Sequence, residues 1–344
     1  MLTYFICSLP IKKDRFSMAK KKKKILLLLA GGTCILDKQG QVFSVEKKDD
    51  IYAWQKQMPE LSILADIETE LILPEDENVC AKTWEDIARA IDNNILEYDG
   101  FVVVSKIDQL INTALAVNFL LQHFDRSIIF TSSYVSGATF SDKKNIISQL
   151  SQKHGGLALR TNLINAMQIA DQPLPGAAIL FGTRLIAATK AIFDLKGQVN
   201  LFDSIDDDFW GRVDFGINLR SGLSLPAQST QIYREISARV FTFEDLPGVP
   251  WNFDKNMLDK YQAILIRVGP YQALDKDKQK QIATWQLPVV LYNYSAVSAV
   301  KGAIAVSGCT YNAVLLKMMW ALANKKKVSD FAKVMQQNII GEFI

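Results

Sequence analysis

Three short apolar runs each end in residues able to do chemistry. Thr33 follows Gly31-Gly32, Asp108 closes Ser105-Lys106-Ile107-Asp108, and Thr131 opens Thr131-Ser132-Ser133-Tyr134. A threonine hydroxyl becomes a nucleophile when a neighbouring group takes its proton, and a carboxylate or lysine nearby can serve that purpose. Residues for histidine, metal or thiol catalysis are scarce. The two histidines, His123 and His154, do not provide a Ser-His-Asp triad or a His-based metal centre. Cys7, Cys34, Cys80 and Cys309 are scattered without CxxC spacing, so neither a disulfide framework nor a zinc site is indicated. Gly31-Gly32 is not a GxGxxG fingerprint, and a nicotinamide or flavin cofactor is not expected. The chemistry open to this chain runs on Thr, Asp, Lys or Tyr.

The elements that position these residues follow from the pattern. Lys24 to Ala30 is apolar on both faces after its first residue, as in a strand buried within a parallel sheet. The glycine pair turns the chain at the carboxyl end of that strand, the side on which open α/β sheets bind ligands. Leu71 to Leu73 reads as a strand end, and Thr83 as the N-cap of a helix carrying Ile87, Ala90, Ile91 and Ile95. Phe101 to Val104, Ser127 to Phe130 and Ala177 to Phe181 read as further strands. Helices fall over Leu110 to Gln122 and Arg160 to Ala170, and residues 135–159 read as a loop with a short helix inserted. This βαβ rhythm predicts a doubly wound, mainly parallel sheet.

Leu219 to Ile232, rich in Ser, Pro and Gln, reads as a linker. The pattern then resumes on a smaller scale. Strands are expected at Ala263 to Val268, Leu287 to Tyr292 and Gly302 to Val306. Helices are expected at Leu274 to Trp285, Ala313 to Ala323 and Val328 to Gln337. The expected division is a disordered basic arm over 1–23, an α/β domain over 24–218, a linker over 219–236 and a smaller α/β domain over 237–344.

Composition agrees with a folded enzyme-sized chain. Its 344 residues suffice for two cores, and 49% are hydrophobic. The net charge is +3, and the run Lys20 to Lys24 accounts for it, so neither nucleic acid nor a membrane surface is an expected partner. Those lysines before Ile25 to Leu29 imitate a signal peptide, but the apolar stretch is shorter than an h-region of about 7–15 residues and runs into the glycine turn. No stretch approaches the ~18 apolar residues of a membrane span, and a cytoplasmic protein is expected. Met18-Ala19-Lys20 resembles a natural start, which leaves residues 1–17 as an over-extended reading or a disordered arm. Lys47 to Asp50 and Asp206 to Asp208 read as solvated charge runs, and Trp210 as a core anchor.

Several separated segments together resemble the bacterial-type L-asparaginases. Ala30-Gly31-Gly32-Thr33 resembles that family's Thr-Gly-Gly-Thr nucleophile turn. Tyr98 to Val103 leads into a loop where the family has His-Gly-Thr-Asp-Thr and this chain has Ser105-Lys106-Ile107-Asp108-Gln109. Arg160-Thr161-Asn162-Leu163, Thr310 to Ala313, Lys317 to Trp320 and Ile339 to Glu342 resemble later family segments in the same order. The resemblance implies a large N-terminal and a small C-terminal α/β domain. It also implies hydrolysis of the L-asparagine side-chain amide to aspartate and ammonia without a cofactor, in a homodimer or homotetramer.

The same resemblance assigns roles. Thr33 matches the nucleophile and Asp108 the triad carboxylate, while Glu75 and Asp76 fall where the family grips the substrate's α-groups, ahead of Trp84. The departures are as specific. Ile107 replaces the triad hydroxyl, the triad lysine falls on Phe193, the Thr-Gly-Ala-Gln loop reads Thr131-Ser132-Ser133-Tyr134, and the terminal glutamate falls on Asn312. Phe43 is the nearest aromatic to the family's lid tyrosine. Losing a general base forfeits about 10²–10⁴-fold in rate, so weak or altered activity is expected, with a non-catalytic binding protein as the alternative. If Glu75, Asp76 and Asp108 converge, their repulsion raises a pKa or recruits a cation or amine, and Lys106 is the available counter-charge.

Overall fold

The computed structural model describes residues 22–37, 39–134, 159–194, 200–214, 216–253, 255–325 and 327–344. The sequence readings over 1–21 and over 135–158 lie outside the described residues. The apolar run forms strand β1 (Lys24–Ala30), buried from Ile25 onward. Parallel neighbours flank it on both sides: β2 (Asp66–Leu73) and β3 (Gly100–Ser105). Alternate side chains of β1 enter opposite cores. Leu26, Leu28 and Ala30 join one, while Ile25, Leu27 and Leu29 join the other. That two-sided burial is why no polar residue interrupts the run.

Beyond β3 the parallel order continues through β4 (Ser127–Thr131) and β5 (Ala178–Phe181). The sheet then turns antiparallel through β6 (Arg184–Ala187). A hairpin of β7 (Ala191–Phe193) and β8 (Phe202–Ser204) stands beside it. Strands β9 (Gly211–Val213) and β10 (Ile217–Leu219) finish the eight-stranded order β10-β9-β6-β5-β4-β3-β1-β2. Sequence reading has no strands between Phe181 and Leu219. Runs of three or four residues containing Arg184, Asp203, Arg212 and Asn218 give no usable alternation.

A second, all-parallel sheet has the order β11 (Val240–Glu244), β12 (Ala263–Arg267), β13 (Val289–Tyr292), β14 (Ala303–Val306). The edge strand β11 is absent from the sequence reading because its Val-Phe-Thr-Phe-Glu pattern is only half-buried. Between the sheets, residues 220–230 carry neither helix nor strand, and Gln231–Ile232 pairs with Leu121–Gln122.

Helices α1 (Asp50–Lys56), α2 (Ala81–Asn93), α3 (Leu110–Leu120) and α4 (Leu159–Ile169) accompany the large sheet. Helices α5 (Lys276–Thr284), α6 (Tyr311–Asn324) and α7 (Val328–Met335) accompany the small one. Cys80, not Thr83, is the N-cap of α2. Thr83 stands three residues in and accepts the Cys80 N–H at 3.2 Å, the reciprocal half of a capping box. Helix α3 is buried on every face because the large sheet lies on one side and α6 on the other, with Phe119 stacked on Trp320 at 6.0 Å. One apolar core therefore runs from Val103 and Phe130 of the large sheet to Leu265 and Val290 of the small one. No helix among the described residues is long and apolar enough to cross a membrane.

The carboxyl end of the chain is tied by a buried ion pair. Lys317 of α6 meets Glu342 at 2.7 Å, both about 1% exposed, and also donates to the carbonyls of Met335 and Gln337. Glu342 in turn accepts the amides of Ile339 and Ile340 at 3.0 and 2.8 Å. Burial lowers the Lys317 pKa, and the charge of Glu342 opposes that shift. A buried pair is fragile to the loss of one member, because the other is left charged in a low dielectric. Glu342→Ala is expected to cost about 3–5 kcal/mol in urea unfolding, and Lys317→Met in the same chain to recover much of that loss.

Candidate active site

The glycine turn is held by three strand ends. The Gly31 N–H donates to the Leu73 carbonyl at 3.1 Å, and the Ser133 N–H donates to the Gly32 carbonyl at 3.0 Å. Both glycines have positive φ, +75° and +67°. A Cβ on Gly32 would collide with the Ser105 carbonyl oxygen and lie 2.9 Å from Ser132 Oγ. One on Gly31 would lie 2.7 Å from Lys106 Cγ. The carboxyl ends of β1, β2, β3 and β4 thus meet at a point where the backbone has no room for a side chain.

Thr33, next along, is fully buried and completely engaged. Its hydroxyl donates to Glu75 Oε2 at 2.9 Å and accepts the Val45 N–H at 3.0 Å. Its own N–H donates to the same Glu75 oxygen at 2.7 Å, and its carbonyl accepts Trp54 Nε1 at 2.8 Å. The Glu75 N–H closes the ring by donating to the Val45 carbonyl at 3.1 Å. A hydroxyl within 3 Å of a buried carboxylate, with an amide donating to the hydroxyl oxygen, has the geometry of a nucleophile beside its proton acceptor.

Charge around this pair is close and shielded from water. Cys34 is buried beside it, and its thiol pKa is pushed up first by burial and then by the Glu75 charge, so it stays a protonated donor rather than a thiolate. Lys106 is 4% exposed and lies along Gly31, where its charge acts on Cys34 in the opposite sense.

The remaining sequence candidates separate. Glu75 turns inward onto Thr33, whereas Asp76 and Asp108 are exposed. Among the described residues no three of His, Cys, Asp and Glu are grouped to hold a metal ion. Asp108 begins a chain of amides, taking the Gln109 side-chain N–H at 3.3 Å. Gln109 accepts from Asn112 at 3.2 Å, and Asn112 accepts from Asn312 of α6 at 2.7 Å. Thr131 donates to the Leu180 carbonyl at 2.8 Å and is spent on joining β4 to β5.

Phe193 is 45% exposed on the β7 strand, packed edge-on against Phe202 at 5.2 Å. Lys190, three residues earlier, turns to the carboxyl end of the chain. Its Nζ donates to the Phe343 carbonyl at 3.1 Å and stands 3.5 Å from Asp206. The Asp206 to Asp208 run lies in a turn with Asp207 and Asp208 exposed, and Asp206 accepts from Ser204 while Asp208 pairs with Arg220. Trp210 is half-buried against the core that holds Leu27 and Leu29. Two contributors to the turn escape sequence reading, Val45 and Trp54, because they reach Thr33 from the chain beyond it and no local spacing marks them. Phe43, by contrast, packs half-buried in the core.

Residues 24–223 match the family model described as Asparaginase, N-terminal. The chain belongs to the asparaginase family. L-asparaginase 1 of Escherichia coli strain K12 is 23% identical over 295 residues, covering 78% of this chain and 82% of the relative. The L-asparaginase of Thermococcus kodakarensis is 23% identical over 301 residues, covering 81% and 84%. Among solved structures, the thermostable L-asparaginase from Thermococcus kodakarensis superposes with a TM-score of 0.69 at 22% identity, over 93% of this chain and 99% of the other. L-asparaginase I from Vibrio cholerae gives 0.72 at 19% identity, over 94% and 99%. At such identities the superpositions establish the fold: the asparaginase architecture of a large, mainly parallel sheet followed by a smaller parallel one.

Within this asparaginase frame the glycine turn has no room for a side chain. Gly32→Ala combines left-handed strain of about 1–2 kcal/mol with overpacking of about 1–3 kcal/mol against the Ser105 carbonyl. Equilibrium unfolding is expected to show a loss of at least about 2 kcal/mol, whereas Gly40→Ala, at positive φ but with open space around it, should lose only the strain.

Proposed function

We propose that the protein is an asparaginase-like amidohydrolase that cleaves the side-chain amide of L-asparagine, releasing ammonia and aspartate. Thr33 Oγ attacks the carboxamide carbon as its proton passes to Glu75, giving a tetrahedral intermediate. Collapse of that intermediate, with the proton delivered to the leaving nitrogen, gives an ester on Thr33 and ammonia. Water then attacks the ester, Glu75 takes its proton and returns it to the leaving Thr33 Oγ, and aspartate is freed. The observation that carries this reading is the 2.9 Å hydrogen bond from Thr33 Oγ1 to the fully buried Glu75. The Val45 N–H aimed at the same hydroxyl oxygen would stabilise the alkoxide as it forms. Lys106 supplies positive charge beside the turn, and the exposed Asp76 and Asp108 remain available to the substrate's α-ammonium group. Activity is weaker than in a site with a lysine-centred triad, since Phe193 and Ile107 can neither accept nor relay a proton. Self-association as a dimer or tetramer belongs to the same reading.

A second reading, a non-catalytic protein that binds a ligand or partner, draws on the saturation of the Thr33 hydroxyl, which has one bond given and one received before any substrate arrives. Ammonia release from L-asparagine separates the two. The hydrolase reading expects release above background, abolished by Thr33→Ala and reduced about 10²–10⁴-fold by Glu75→Gln. Release indistinguishable between wild type and Thr33→Ala would leave the binding protein.

A further inference from the structure

At the glycine turn the buried hydroxyl of Ser132 has no hydrogen-bond partner. Among the described residues three buried side-chain polar atoms have no hydrogen-bond partner: Glu60 Oε2, Trp320 Nε1 and Ser132 Oγ. Two of them have ordinary explanations. Glu60 spends its other oxygen on Arg160, and Trp320 is a large core ring stacked on Phe119. Ser132 has neither. It is fully buried at the carboxyl end of β4, and its main chain is held tightly. Its carbonyl accepts Asn162 Nδ2 at 3.0 Å, and the next residue's N–H grips the Gly32 carbonyl at 3.0 Å. The side chain is therefore held facing Gly32, its oxygen 2.9 Å from where a Cβ on that glycine would stand, one residue before Thr33.

An unpaired buried hydroxyl is unfavourable, so a serine kept here points to a use the folded chain alone does not supply. An alanine would fill the same space without the orphaned oxygen. The hydroxyl faces the bare backbone of Gly32 at the carboxyl ends of β1 and β4, the side on which open α/β sheets bind ligands. Sequence offers the serine only as a departure from the family's Thr-Gly-Ala-Gln loop, in which no hydroxyl stands at this position.

We propose that Ser132 is a catalytic residue whose hydroxyl donates to the carboxamide oxygen of the substrate. This rests on the amidohydrolase reading and deepens it. As Thr33 attacks, the carbonyl oxygen gains negative charge. A hydroxyl held by rigid backbone in a water-poor site stabilises that charge more than it stabilises the neutral amide. The proton stays on Ser132 throughout, and the hydrogen bond shortens and then relaxes as the oxygen becomes a carbonyl again. The substrate class is a small primary carboxamide bound across the carboxyl ends of β1 and β4.

Ser132→Ala tests this without depending on Thr33. Its urea midpoint is expected to equal or exceed wild type, because an unpaired hydroxyl is removed. With L-asparagine, kcat is expected to fall about 10²-fold with KM little changed, the signature of an interaction made mainly in the transition state. Unaltered kcat would overturn the assignment while leaving Thr33 and Glu75 intact as the reacting pair. A lowered midpoint accompanied by unaltered kcat would make Ser132 a packing residue and also overturn it. If wild type releases no ammonia, the hydrolase reading fails, and calorimetric titration with L-asparagine decides the serine alone. At least tenfold weaker binding to Ser132→Ala keeps it as a carboxamide contact. Equal binding, or none to either protein, overturns it.

Discussion

The contact on which the rest of this site depends is the approach of Gly32 to the Ser105 carbonyl, so close that no side chain fits between them. Parallel pairing of β1 with β2 and β3 brings three strand ends level, but only a residue without a Cβ lets the chain leaving β1 bend across the end of β3. Once that bend is made, Thr33 is delivered to Glu75 just beyond β2, and Ser132 and Ser133 close over Gly32 from β4. The turn, Thr33 and Ser132 are placed by backbone that is itself hydrogen-bonded, which is how a site built at loop ends acquires the rigidity of the sheet.

Electrostatics explain why this arrangement differs from one centred on lysine. The buried carboxylate of Glu75 is met by hydrogen-bond donors, the Thr33 amide and hydroxyl, with the Lys106 charge close by. Donors satisfy an ionised carboxylate at modest cost and leave it able to take a proton. The inward turn of Glu75 also separates it from Asp76, its neighbour in sequence, which faces solvent.

The two sheets are not independent supports. Helix α3 is apolar on all sides because it is covered by the large sheet, α2 and α6 together, and a single core passes through it. The polar surface follows the same route. The amide chain from Asn312 through Asn112 and Gln109 ends on Asp108, so a residue beside the candidate site is steadied from the second sheet's helix. Elsewhere on the large sheet Lys190 holds the Phe343 carbonyl, and Lys317 holds Glu342. Carboxyl-terminal residues thereby fasten the two halves together.

What the sequence determined by itself was the frame. Apolar runs such as Ile25 to Ala30 and Phe101 to Val104 specify buried parallel strands, since a both-faces-apolar pattern has no other stable place in a polar chain. The glycine pair specifies the turn, and the order of motifs specifies the asparaginase fold. Short hairpins from Arg184 to Leu219 and the edge strand Val240–Glu244 were not legible, because their strand character comes from neighbours and not from alternation. The site was legible only in its members. Thr33, Glu75, Lys106, Asp76 and Asp108 stand out as residues, but which carboxylate meets the threonine depends on the path of residues 73–76 past the end of β1. That path is fixed by the bond from Gly31 to Leu73 and the bond from Glu75 to Val45. Likewise, nothing in Thr131-Ser132-Ser133 distinguishes three hydroxyls. Tertiary packing decided that Thr131 is consumed by Leu180 and that Ser132 faces Gly32 with its oxygen unpaired, because hydrogen bonding is settled by which groups the fold brings within about 3 Å of one another.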